Sequence, residues 1–372
     1  MPLKKSIDCL TGMRFFAALC IVFWHSQGGF FFRNYAFRPF QLDGAVQLFF
    51  ALSGFVLTIS RNDEKGYAEF MGGRIARIWP THLVAFAFLI CVFYSVDSPH
   101  WVIDHPLDSG LFVFLLQAWV PKTEVIFGFN GPAWSLSVEL FFYAVFPVCV
   151  ILLRRNPVLR SAALFASTLI AILLIGRWFP NVNAVWLGYA NPLTNLCVFA
   201  MGISAGLLWR DAPPAGTSLT RATALEVGAI SIALLANSAF SAPYQVDHPT
   251  AIGWFMLTTA AAPTYVLVIY VLARYRGIIS LILSRKPIVL LGQASFALYL
   301  FHQILLKMYW QYRDFFGVLG HWPSFALFLL SSLGLAFAAH FGVEVPTYRI
   351  VTSWLRAKRP VVEGGKVRLT RQ

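Results

Sequence analysis

Along this chain, apolar runs long enough to cross a bilayer alternate with short polar or basic breaks over nearly the whole length. A spanning helix needs about 20 mostly apolar residues. Inside lipid every backbone polar group must find a partner within its own segment, which makes helix the natural state of such runs. The pattern predicts helices near 10–30, 44–60, 79–96, 134–153, 161–177, 191–209, 224–241, 251–273, 287–309 and 323–343. The expected fold class is all-α, a polytopic membrane protein of about ten transmembrane helices. The run 111–120, LFVFLLQAWV, is too short to span and is expected to be re-entrant or interfacial on the outer side. Pro80 is expected to open the third helix. Residues 1–345 are expected to form one transmembrane domain, and 346–372 a basic, flexible cytoplasmic tail on the membrane surface.

Composition excludes a soluble protein: of 372 residues 58% are hydrophobic and 12% charged, with a mean hydropathy of +0.67. A net charge of +13 would suggest nucleic acid in a soluble chain. Here its placement reports topology instead. With ten spans, all of the 29 Lys and Arg residues except Arg33, Arg38, Lys122, Arg177, Lys307 and Arg313 fall on one side. The positive-inside bias puts that side and both termini in the cytoplasm. Counting 111–120 as a full span would turn the basic clusters at 154–160 and 274–286 outward. The expected partner is therefore the lipid bilayer of the cell's inner membrane, with no nucleic acid. The five Cys residues form no CxxC pair and have no His at metal spacing, so neither a disulfide nor a metal site is expected. Lys4 and Lys5 precede an apolar run as in a signal peptide, but Asp8 and Arg14 interrupt it and no small-residue cleavage site follows. The segment reads as an uncleaved first helix.

Ionisable side chains inside apolar helices cost about 2.5 to 3.5 kcal/mol on insertion scales and so point to function. Arg14 and His25 lie in MRFFAALCIVFWHS. Eleven steps of about 100° return to within about 20° of the starting direction, and at 1.5 Å each they separate the pair by roughly 16 Å. The two share one face, half a membrane apart, as suits the two ends of a long, thin ligand; a snorkelling Arg and an interfacial His are the alternative. In LFFALSGFVLT, Ser53 and Gly54 allow close approach of a helix or an acyl chain. GGRIARIWP places Arg74 and Arg77 on one face, either as a topology anchor or as a paired guanidinium site for phosphates. GPAWSLSVELFFY makes a polar ridge of Ser135, Glu139 and Tyr143, and GQASFALYLFHQ a second one of Gly292, Ser295, Tyr299 and His302, best explained by interhelical hydrogen bonding. Glu344, in FGVEVP, is expected to have a local Arg partner.

At these residues the chain resembles the acyltransferase family 3 integral membrane proteins. The carriers are Arg14 with ten residues before His25, FFALSGF, Arg74 with Arg77, GPAWSLSVE with Tyr143, GQASFALYLFH, and Glu344 with Pro346. They occur in family order over about residues 10–346. The resemblance implies about ten helices, an acyl group taken from cytoplasmic acyl-CoA, most often acetyl-CoA, and a glycan, lipid-linked sugar or exopolysaccharide hydroxyl as acceptor. It implies a donor site of Arg14, Arg74, Arg77 and Ser53, and His25 as general base or acyl carrier. Glu139, Tyr143 or Asp43 would orient His25 or the acceptor. Gln47 stands where many relatives carry Asp, and Gln cannot act as a base or neutralise an imidazolium. Outer-loop aromatics, Phe30 to Phe32, Tyr35, Trp101 and Trp186, read as a membrane-interface belt. The rival class is a secondary transporter of a small anionic or sugar-like solute, but paired inverted repeats, its usual mark, are not seen.

Overall fold

The computed structural model describes residues 2–27, 44–62, 66–94, 105–213, 215–241, 250–357, 361–363 and 366–368. The long helices are α1 (Pro2–Gln27), α2 (Ala45–Ile59), α3 (Tyr67–Tyr94), α4 (Trp134–Leu153), α5 (Pro157–Trp178), α6 (Pro192–Asp211), α7 (Leu219–Ser241), a broken α8 (Ala251–Thr258 and Ala262–Arg274), α9 (Lys286–Gln311), α10 (His321–Ala339) and α11 (Val345–Ala357). Among the described residues, nine helical stretches are long and apolar enough to cross a bilayer, and α2 is a shorter apolar helix. The protein is thus a multi-pass membrane protein. Helix α2 buries most of its residues inside the bundle, so it need not match the thickness of the lipid.

Helix starts follow local chemistry. Pro157, Pro192 and Pro287 occupy first turns, where no N–H is missed, and Asn191 and Thr250 accept hydrogen bonds from Leu193 and Gly253 as caps. Pro80 departs from expectation. The third helix starts at Tyr67, so Pro80 lies in its interior and Arg74 and Arg77 are already helical. A bilayer helix tolerates such a proline because neighbouring groups re-satisfy the freed carbonyl. The run 111–120 breaks into the end of a short helix (Pro106–Val113) and a 3-10 turn (Gln117–Trp119), and it does not span.

The last element also departs from the sequence expectation. Helix α10 continues through a π-helical turn, His340–Glu344, into α11, so the expected domain boundary at 345 falls inside helical structure. A two-stranded hairpin pairs Val361–Glu363 with Lys366–Arg368. Helix α5 is peripheral, with Ser161 and Ile172 its buried residues, whereas α2, α6 and α9 form the interior. Two close approaches set this interior. A Cβ at Gly202 of α6 would overlap the Ala51 carbonyl of α2, and one at Gly292 of α9 would overlap the Thr11 carbonyl of α1. The second contact holds α1 and α9 side by side and brings their polar stripes face to face.

Candidate active site

His25, near the C-terminal end of α1, meets His302 of α9 with 2.8 Å between His25 Nδ1 and His302 Nε2, and the rings stack 12° from parallel. His302 is fully buried, and its Nδ1 lies 3.2 Å from the Leu298 carbonyl. A carbonyl only accepts, so His302 Nδ1 carries the proton. In neutral His302 the Nε2 is then an acceptor, which requires His25 Nδ1 to donate. By elimination, His25 Nε2 holds a lone pair with no hydrogen-bond donor among the described residues.

Next to the histidines, Tyr299 packs its ring 6.1 Å from that of His302, and its hydroxyl lies 2.9 Å from Ser135 Oγ. Both hydroxyls reach the Pro132 carbonyl. Tyr299 and Ser135 also line a small cavity of about 40 Å³ together with Arg14, Glu139 and Ser295. The Glu139 carboxylate accepts hydrogen bonds from Ser53, at 3.2 Å, and from Tyr143 on one and the same oxygen. Arg14 lies within electrostatic range of Glu139, Tyr143, Arg77 and Glu344. Arg14 thus shares a cavity with Tyr299, whose ring adjoins that of His302, the partner of His25.

Beyond Tyr143 come the arginines of α3. Arg74 sits over the rings of Phe70 and Tyr143, 5.5 and 5.7 Å from their centroids. It lines a cavity of about 220 Å³ with Arg61, Tyr67, Glu69, Tyr348, Thr352 and Arg356 among its walls. Arg77 turns away and binds Glu344 at 3.3 Å, while His340 holds the other Glu344 oxygen at 2.9 Å. The π-helical turn of His340–Glu344 carries both groups, as such widened turns do at functional sites. Together these residues form a polar seam from the His pair to the arginine cavity. Along the seam Arg14, Arg74 and Arg77 face Glu139 and Glu344, and Arg61, Arg356 and Glu69 stand in the cavity walls, so with neutral imidazoles positive charge is in excess.

Several sequence expectations are redistributed. Arg74 and Arg77 do not form one fork: the first faces the cavity and the second has Glu344 as partner, which makes Arg77 the local Arg expected for that carboxylate. Glu139 and Tyr143 bond to each other rather than to His25, because their i, i+4 spacing closes the contact within α4. Ser53 is buried and committed to Glu139. Asp43, Phe30 to Phe32, Tyr35 and Trp101 lie outside the described residues. Gln47 is fully buried and donates to Thr259, 3.2 Å away. Sequence reasoning misses His340, for which the i, i+4 spacing to Glu344 is the available signal. His82 is a buried core histidine facing the Phe112 carbonyl at 2.9 Å. Glu226 caps the short helix Ile278–Leu283 through the Gly277 and Ile279 N–H groups, a structural use.

Comparison with known proteins shows the family. A family profile described as an acyltransferase domain matches residues 7–341. Acyltransferase MdmB of Streptomyces mycarofaciens is 31% identical over 395 residues, covering 97% of this chain and 95% of that protein. O-acetyltransferase OatA of Staphylococcus aureus is 26% identical over 322 residues, 79% of this chain and 49% of its own. Exopolysaccharide production protein ExoZ of Rhizobium meliloti is 29% identical over 169 residues, 44% of this chain and 50% of its own. The chain therefore spans nearly all of MdmB but about half the length of OatA. No solved structure matches it significantly. On the profile match and the relatives together, the chain belongs to acyltransferase family 3 and is a membrane O-acyltransferase.

Proposed function

We propose that the protein transfers an acetyl group from cytoplasmic acetyl-CoA to a hydroxyl of a glycan or lipid-linked sugar, with His25 as general base. The observation that carries this reading is the tautomer chain Leu298 carbonyl, His302, His25, which leaves the lone pair of His25 Nε2 without a partner among the described residues. That nitrogen removes the proton of the acceptor hydroxyl as its oxygen attacks the thioester carbonyl. The C–S bond breaks, and the departing thiolate takes the proton back from His25. If the same lone pair attacks the thioester first, the C–S bond breaks to give an acyl-imidazolium and CoA thiolate; the acceptor hydroxyl then attacks the acyl carbon, the C–N bond breaks, and the hydroxyl proton goes to the thiolate.

The donor's phosphates bind at the arginine cavity, where Arg74 supplies a guanidinium and the excess positive charge of the seam favours an anion. The positive-inside bias of the basic loops supports a cytoplasmic position for this end. The pantetheine arm follows the seam past Arg14 towards His25. The 40 Å³ cavity on that path has room for about one water molecule, so donor entry requires it to widen. The acetyl group draws support from the name of OatA, an O-acetyltransferase, and a glycan acceptor from that of ExoZ, an exopolysaccharide production protein.

The test is binding of acetyl-CoA and CoA to the detergent-purified protein. Saturable binding that weakens at least about ten-fold in Arg74→Ala is expected, the worth of one charge-assisted contact of about 1.4 kcal/mol. Absence of binding to any acyl-CoA would remove the donor half of the proposal.

A further inference from the structure

Helix α11 lies beyond the 7–341 span of the family profile, yet it forms a wall of the arginine cavity. Tyr348, Thr352 and Arg356 are spaced four apart, so one face of α11 meets the cavity. The helix is docked rather than loose. Its Leu355 packs over Gly72, and Tyr348 and Thr352 come within about 4 Å of the Cβ position of Gly73, directly before Arg74. The cavity is thereby graded. Arg74 lies at its inner side over the buried ring of Tyr143, and Arg356 is exposed at its rim. Arg61 also lines it, with Tyr67 and Tyr348 as the aromatic walls.

This grading suits a ligand with two separate phosphate groups and a planar base. We propose that Arg356 of α11, together with Arg61, binds the 3′-phosphomonoester of coenzyme A, while Arg74 binds the pyrophosphate nearer the seam. The tyrosines flank the adenine. The inference rests on the donor reading given above and deepens it. It makes α11 the element that distinguishes CoA from donors lacking the 3′-phosphate, such as 3′-dephospho-CoA or acyl-pantetheine.

Titration of the purified full chain with CoA and with 3′-dephospho-CoA tests it. Wild type should bind CoA about ten-fold or more tightly than 3′-dephospho-CoA, the worth of about 1.4 kcal/mol. Arg356→Gln should shrink that preference several-fold by weakening CoA alone, and Arg356→Gln with Arg61→Gln should bring the two ligands to nearly equal affinity. Arg356 is exposed, so the substitution leaves the packing of α11 on α3 in place. Arg349→Gln, on the same helix but away from the cavity, should preserve the discrimination. Equal binding of both ligands by wild type, undiminished discrimination in Arg356→Gln, or an equal loss in Arg349→Gln would each overturn the inference and leave the donor site standing. Failure of wild type to bind CoA at all would instead overturn the donor reading.

Discussion

His25→Ala is expected to lower acyl transfer by about 10²- to 10⁴-fold, the usual contribution of a positioned general acid–base group, while acetyl-CoA still binds. His25 is the one member of the imidazole pair with a ring nitrogen that has no partner among the described residues, and the proposed sites for the donor's charged groups lie half a membrane away. On the proposed reading His302 acts through His25, as a positioning residue. His302→Ala removes the acceptor for His25 Nδ1–H, so His25 loses both its tautomer and its orientation. His302→Gln should recover part of the lost kcat because a side-chain carbonyl can still accept that hydrogen bond. A structural role alone predicts no such rescue. The measurements are transfer of labelled acetyl from acetyl-CoA to acceptor polysaccharide and, on the same preparations, donor binding. Wild-type transfer by His25→Ala would sink both the general-base and the acyl-imidazole routes.

The second large effect is on stability. Glu344→Ala should destabilise the protein by about 2–3 kcal/mol, because it removes the ion-pair partner of the Arg77 guanidinium. A fully buried pair broken on one side costs about 3–5 kcal/mol, and the 34% accessibility of the Arg77 side chain reduces that through screening. His340 loses a partner in the same substitution. Adding Arg77→Met should restore much of the thermal midpoint in detergent, since no unpaired charge then remains. A double variant as unstable as the sum of the singles would show that the pair does not couple.

Much of this arrangement is legible in the amino-acid sequence. Bilayer physics forces helices on apolar runs, so span positions follow from hydropathy, and the helical period puts Arg14 and His25 on one face without further input. Partners across helices are another matter. That His25 meets His302 depends on how closely α1 and α9 approach, and this is set by small residues at Gly12 and Gly292 whose counterparts are backbone carbonyls elsewhere in the chain. The fate of Arg77 is half legible: Glu344 predicts an Arg but not which one. The start of α3 escapes the sequence pattern because a proline near the edge of an apolar run resembles a first-turn proline. Only the neighbours of Tyr67–Trp79 reveal that the polar stretch before Pro80 is helical as well.

If one polar seam joins a donor cavity at Arg74 to a reacting centre at His25, both ends must be engaged by a single donor molecule. The most direct test is a cryo-electron microscopy structure of the full chain in nanodiscs with a non-hydrolysable acetyl-CoA analogue. Phosphates are expected at Arg74, with a widened passage beside Arg14 and the acyl carbon within about 3–3.5 Å of the atoms it reacts with, at His25. An analogue bound with its acyl group away from the His25 and His302 pair, or lying in the apolar groove between Phe16 of α1 and Leu234 of α7, would contradict the seam.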